Sequence, residues 1–571
     1  MRRILIILLF VCQAITIAAQ KKNPKWIDKA GKAVFKIETT SKDGVTKTGY
    51  GFFISEKGEA VASYSIFRYA AEAVVTTATG EKWQVTHIIG ADNMYDVAHF
   101  KVAVPKKTAF LTTAAASPAV NSTAYLPAAF EENAVGQGAV SEITKINGAY
   151  DYYKVEWPLP SSQACFPLLN EAGDAFALTQ ADATKKGKTY GISIAYILSL
   201  QISVADILKR TYTESEIRKA LPTDIENAQI ALLLYASQQD VATYLETLND
   251  FIATFPEHAD GYVNRATQYA YQRKELASTE SEQLQMLDLA WSDLDKAAKY
   301  AAKKGDAFYN RAKLIFGVAA SDSALQYKEW SIDKAEEYIR KAIAEESAPE
   351  YIKLEGDIAL YKGDYEKSYN SYSIVNQSNQ SSGMSFYNAA KSLMQIEGYN
   401  LLEVISLIDS AVAKSQTGEA AEYMLESIDL KIQAGLYENA VRDYDKYYLM
   451  MDGNVNDVFY YYREQAKYRA NDPEGALKDI DKAIMMSDGA NEVYYAEKAS
   501  VYLRLKDYPK AQEAAEKAIS IQPDFASAYR ILGIGFIRQD KKTEACNTFN
   551  KAYELGDAVV ERLIKENCNQ E

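Results

Sequence analysis

The sequence predicts a multidomain protein, with an all-β domain followed by an all-α repeat solenoid. Three observations carry this. Up to about residue 200 the apolar residues fall in short, strand-like runs; after Ser203 the period lengthens to that of helices. From there to the end, small residues and aromatics recur about every 34 positions, the mark of a stacked repeat. A chain of 571 residues has room for several cores.

In the first part, Val34–Ile37, Gly51–Ile54, Ala73–Val75, Val97–Phe100 and Tyr153–Trp157 read as strands, many of them separated by Gly, Asn and Asp clusters. Many short strands with such turns indicate a barrel or sandwich. Val204–Arg210 and Glu214–Leu221 read as short helices, and Pro222-Thr223-Asp224 breaks and re-caps the chain. The domain boundary is therefore expected within 205–224, as a helical linker.

The clearest repeat is Glu492–Phe525, with Tyr495, Ala499 and Tyr502 on a first helix, Ala511, Ala515 and Ala518 on a second, then Pro523. The next unit repeats it with Tyr529, Gly533 and Phe536, then Ala545, Phe549 and Ala552. Looser copies run upstream, where Tyr262-Val263-Asn264-Arg265-Ala266 is echoed by Phe308-Tyr309-Asn310-Arg311-Ala312 and by Phe386-Tyr387-Asn388-Ala389-Ala390. This pattern resembles the tetratricopeptide repeat, and about nine copies are expected over 225–559, with a capping helix over 560–571. The resemblance implies a groove for a peptide or partner helix. Asn264, Asn310 and Asn388 share the position from which a groove-facing Asn contacts a ligand backbone in that family; the plainer role is to be solvated or to satisfy helix ends. Among the 42 tyrosines, runs such as Phe459–Tyr462 and Tyr447-Tyr448 could line a groove for peptide or sugar; most are read as inter-helix filler, with a minority facing the groove.

Over roughly Ala30–Ser199 a second resemblance is carried by five segments in order: Thr48–Ile54, Gly58–Ile66, Ala91–Ala98, Pro167–Asn170 with Gly173, and Gly191–Ile194. Together they resemble the trypsin-like serine proteases, specifically the high-temperature-requirement branch. That implies a double barrel over 25–204. In this alignment the histidine position is Ser65, the aspartate is Asp96 and the nucleophile position is Ala164. Ser161–Leu168 stands where the family carries Gly-x-Ser-Gly-Gly-Pro-Leu, so the glycine positions read Ser162, Cys165 and Phe166.

A serine protease needs an imidazole base, a nucleophilic oxygen and N–H donors around the oxyanion. A serine hydroxyl is no base near neutral pH, and an orienting carboxylate without an imidazole does nothing catalytic. Cys165 as a displaced thiol nucleophile would still need a base; a small filler is the plainer reading. The chain's three histidines, His87, His99 and His258, do not fall at the base position. No catalytic residue is assigned, and no cofactor or metal is expected.

Residues 1–20 read as a secretory signal: Arg2-Arg3, an apolar Ile4–Val11 and small Ala18-Ala19. Bulky Phe10-Val11 argue against a lipid anchor on Cys12, and no later segment reaches the roughly 18 apolar residues of a membrane span. Export to the periplasm, the cell envelope or beyond is expected. Cys165, Cys546 and Cys568 would then remain; the last two either pair or stay as separate buried thiols, the latter being the plainer expectation. The net charge of −14 disfavours nucleic acid as a partner. The expected function is a non-catalytic scaffold that binds protein or peptide. The alternatives are an active serine or cysteine peptidase and a structural subunit of an envelope or secretion assembly.

Overall fold

The computed structural model describes residues 23–180 and 187–568; the expected signal over 1–20 lies outside them. Twelve strands form two closed barrels. The first contains β1 (Val34–Thr40), β2 (Thr46–Phe53), β3 (Glu59–Ala62), β4 (Glu72–Thr77), β5 (Lys82–Asp92) and β6 (Val97–Val102). The second contains β7 (Thr123–Leu126), β8 (Gly136–Ile146), β9 (Tyr150–Val155), β10 (Pro167–Leu169), β11 (Ala175–Gln180) and β12 (Thr189–Ser193). Around the first barrel the order is β1-β2-β3-β6-β5-β4, and the second repeats it as β7-β8-β9-β12-β11-β10, all antiparallel.

The period of two along each strand sorts side chains into two cores. Phe35, Ile37, Phe53, Ala60, Ala62, Ala98 and Phe100 point into the first barrel. Their neighbours Val34, Phe52, Val61 and Val97 point the other way and join the second barrel's core. β6 is thus buried on both faces along Val97–Phe100, which explains why its residues there are apolar but for His99.

The expected linker is not a separate element. Helix occupies only Arg210–Thr213, preceded by a 3₁₀ turn at Val204–Asp206. Glu214–Leu221, expected as a helix, is extended against the first barrel. Glu216 donates to Ala70 O (2.9 Å), Ile88 donates to Arg218 O (2.8 Å) and Ala220 donates to Ile88 O (2.8 Å). Ser215 and Ile217 are buried there. The backbone pairs with strand edges, so an i→i−4 ladder is not needed to satisfy it. Helices Ile225–Ala236 and Val241–Thr254 then place Ala228, Leu232, Tyr244, Leu248 and Phe251 in the first barrel's own core cluster. The compact units accordingly divide after Tyr300 rather than within 205–224.

In the second unit, Ala301–Glu571, every regular element among the described residues is a helix. Its close helix pairing rests on small residues, with Ala499, Ala511, Ala515 and Ala518 all buried. At Gly533 a Cβ would stand 2.5 Å from the Phe549 ring, so only glycine permits that approach. Cys546 and Cys568 are joined as a disulfide, which ties Val560–Asn567 to Lys542–Glu554. The pairing left open in the sequence, with separate thiols as the plainer expectation, is made.

Candidate functional site

A cleft of about 770 Å³ is lined by Ser63, Asp96, Ala164, Cys165, Met94 and Tyr190 among others. The three positions aligned with the catalytic triad do converge on this region. Ser65 lies on the 3₁₀ turn Tyr64–Ile66 that follows β3, and Asp96 stands just before β6, which pairs with β3. The Ser65 N–H donates to Asp96 Oδ1 at 2.6 Å and the Ser63 hydroxyl donates to Asp96 Oδ2 at 2.6 Å. The two serine oxygens are 2.7 Å apart, and Ser65 Oγ also reaches Asp96 Oδ2 at 3.3 Å. The carboxylate is therefore satisfied by two hydroxyls and a main-chain donor, with no proton acceptor beyond itself.

The segment aligned with the oxyanion loop is held from within. It forms a single 3₁₀ turn, Ser161–Gln163. The fully buried Gln163 amide donates to Pro127 O (3.2 Å) and Ala134 O (2.8 Å), while its Oε1 accepts from Ala134 N (3.4 Å). Thr179 Oγ1 donates to Gln163 O (3.0 Å) and accepts from Phe166 N (2.8 Å). Cys165 has φ +64°, the left-handed region that the family's glycine at this position favours. Phe166, in the adjoining glycine position, is buried against Tyr50, with ring centroids 5.2 Å apart.

Burial pushes the Cys165 thiol up to about 12, and the nearby Asp96 carboxylate adds to the rise; an N–H of Ser63 opposes it. A thiol so placed stays protonated near neutral pH and is a poor nucleophile. No histidine lines the cleft among the described residues. His87 Nε2 sits 2.6 Å from Asp250 Oδ2, joining the first barrel to helix Val241–Thr254. His99 is buried on β6, its Nε2 3.6 Å from Glu59, and burial lowers its pKa. His258 caps helix Ala259–Tyr271.

The asparagines expected to face a groove divide in role. Asn388 Nδ2 donates to the Tyr372 hydroxyl (2.9 Å), which in turn donates to Asp357 (2.5 Å), so this amide is spent on the preceding helix pair, Pro349–Lys362 and Tyr365–Asn376. Asn264 and Asn310 are half-buried on helices Ala259–Tyr271 and Lys304–Ser321. The tyrosines also divide. Tyr351 and Tyr372 are fully buried filler, whereas Tyr462 is 51% exposed. A second opening of about 710 Å³ lies in the repeats, lined by Leu425, Tyr444, Tyr447, Val458, Tyr462 and Met486 among others. The runs Tyr447-Tyr448 and Phe459–Tyr462 signal it in the sequence; Leu425, Val458 and Met486 do not.

No protein-family profile matches the chain. It is similar to the TPR repeat-containing protein MJ1428 of Methanocaldococcus jannaschii, 26% identical over 263 residues, which cover 43% of this chain and 44% of that protein. It is also similar to the small glutamine-rich tetratricopeptide repeat-containing protein 2 of Saccharomyces cerevisiae, 26% identical over 174 residues, or 30% and 44% of the two chains. A shorter match is the yeast heat shock protein STI1, 31% identical over 111 residues, or 19% and 18%. The chain thus spans less than half the length of each of these relatives. Among solved structures, an HtrA-type protease with a tripeptide is 16% identical, covers 32% of this chain and 62% of its own, and has a TM-score of 0.27. The chain folds as two closed six-stranded barrels followed by a helical region that is similar to tetratricopeptide-repeat proteins.

Proposed function

We propose that the protein is an exported scaffold that binds protein or peptide partners through its repeats, with the barrels as a non-catalytic module. The observation that supports the non-catalytic reading most directly is the state of the triad-aligned groups. Asp96 is occupied by Ser63 and Ser65, the nucleophile position is Ala164, and the neighbouring thiol is held protonated. General-base catalysis here needs an imidazole or a carboxylate free to take a proton; the described lining of the cleft holds no histidine, and its Asp96 carboxylate is taken up by Ser63 and Ser65. The tetratricopeptide relatives support the binding role.

The test is direct. Mature protein incubated with covalent serine and thiol probes and with casein is expected to show neither labelling in the cleft nor hydrolysis. Hydrolysis that disappears on exchanging one side chain would establish a peptidase instead. Crosslinking in the native cells is expected to capture protein partners; their absence would overturn the scaffold.

A further inference from the structure

We propose that the opening formed by Leu425, Tyr444, Tyr447, Val458, Tyr462 and Met486 is a docking groove for an amphipathic partner segment carrying apolar side chains beside lysine or arginine. The proposal rests on the reading of the repeats as protein-binding and names the chemistry they recognise.

The apolar character comes first. Leu425 is 43% exposed, Val458 42%, Tyr462 51% and Met486 45%, and they share the walls of one concavity with Tyr444 and Tyr447. Large apolar side chains gathered around one concavity, rather than scattered singly, mark an interaction site. Helix-in-groove recognition uses such a surface, with partner side chains at helical spacing as anchors.

Charge then selects the partner. On helix Thr417–Gln433, Glu422 and Asp429 flank Leu425 at three and four residues, so the three share a face, and all are exposed. Asp429 also acts electrostatically on the Tyr444 phenol. Neither carboxylate has an ion pair among the described residues. Several cations of these helices are already engaged by other acids: Lys431 by Asp409 and Asp443, Lys446 by Asp443, Arg463 by Asp445 and Asp479, and Lys467 by Asp479. Aromatic rings line the groove, and two carboxylates without an ion pair stand beside it on the face of the helix that carries Leu425, Asp429 accepting only from the Gln433 amide (2.7 Å). That combination favours a guanidinium or ammonium, through cation–π contact and charge-assisted hydrogen bonds.

The experiment uses the full mature chain and a short fluorescein-labelled peptide of leucine and lysine at helical spacing, read by fluorescence anisotropy. A leucine–glutamate peptide of the same length is the control. The leucine–lysine peptide is expected to bind, and Leu425→Asp to weaken it at least about tenfold. The double variant Glu422→Gln/Asp429→Asn is expected to weaken it about threefold to tenfold and to flatten its salt dependence. All these side chains are exposed, so far-UV circular dichroism of both variants should match the unaltered chain. Binding that Leu425→Asp leaves intact, equal binding of the leucine–glutamate peptide, or no binding of the leucine–lysine peptide would overturn the proposal. Partners crosslinked in cells as well by Leu425→Asp as by the unaltered chain would overturn this groove while leaving the scaffold reading in place.

Discussion

The cleft of the barrels and the groove of the repeats are similar in volume, about 770 and 710 Å³, and opposite in state. In the cleft the polar groups aligned with catalysis are consumed by one another. Asp96 takes Ser63 and Ser65, and Gln163 takes the carbonyls of Pro127 and Ala134. In the groove the apolar side chains are half in water, and beside it Glu422 and Asp429 have no ion-pair partner among the described residues. An aligned residue that is satisfied internally has become structure, while an unsatisfied one remains available to another molecule.

Four measurements would break or sharpen this contrast, beginning with the largest effect. Glu464, on helix Asp457–Arg469, is buried with Oε2 unpartnered among the described residues. Burial raises its pKa from 4.5 to about 8, and Glu497 and Asp479 add to the rise. Between those two values the folded chain keeps a proton that the unfolded chain has lost. Stability therefore falls as pH rises through that window, by up to about 5 kcal/mol in total. Glu464→Gln should remove that slope in chemical denaturation across the range; an unchanged slope would mean the carboxyl is solvated. Next, Gln163→Ala should cost about 2–3 kcal/mol, because buried carbonyls lose their donor. A thermal melt that does not shift would show that the loop is not pinned from within. Third, iodoacetamide should leave Cys165 unmodified in the native protein at pH 8, where fewer than about one thiol in a thousand is ionised; rapid mass gain before denaturation would show a reactive cleft. Last, Leu425→Ser should change stability by less than about 0.5 kcal/mol, since the side chain already meets water. A large loss there would make the groove a packed core.

Much of the fold was legible in the residues because short-period signals dominate it. Val34–Ile37 and Val97–Phe100 lie on β1 and β6, and Ala511, Ala515 and Ala518 are buried at the repeat spacing. Ser65 and Asp96 were found as positions because the sequence around them is read by neighbour order, and their contact follows from β3 pairing with β6. Glu214–Leu221 was misread because its apolar residues answer to strand edges far away in sequence, an influence that local periodicity does not carry. Ser63 as a ligand of Asp96, Gln163 as a plug and Asn388 as a partner of Tyr372 were invisible for the same reason. Each depends on which side chains meet across long separations. The groove left two traces, Tyr447-Tyr448 and Phe459–Tyr462, but Leu425 and Met486 reach it from other helices.

The shared core of the first barrel and helices Ile225–Ala236 and Val241–Thr254 has a consequence for descent. The barrel cannot be discarded from beneath those helices without leaving Phe251, Leu248 and Leu232 bare in water. Selection on the helices alone would preserve the inner wall strand by strand, whatever the loops around Ala164 became. Related sequences should show an unvarying barrel interior and a freely varying rim.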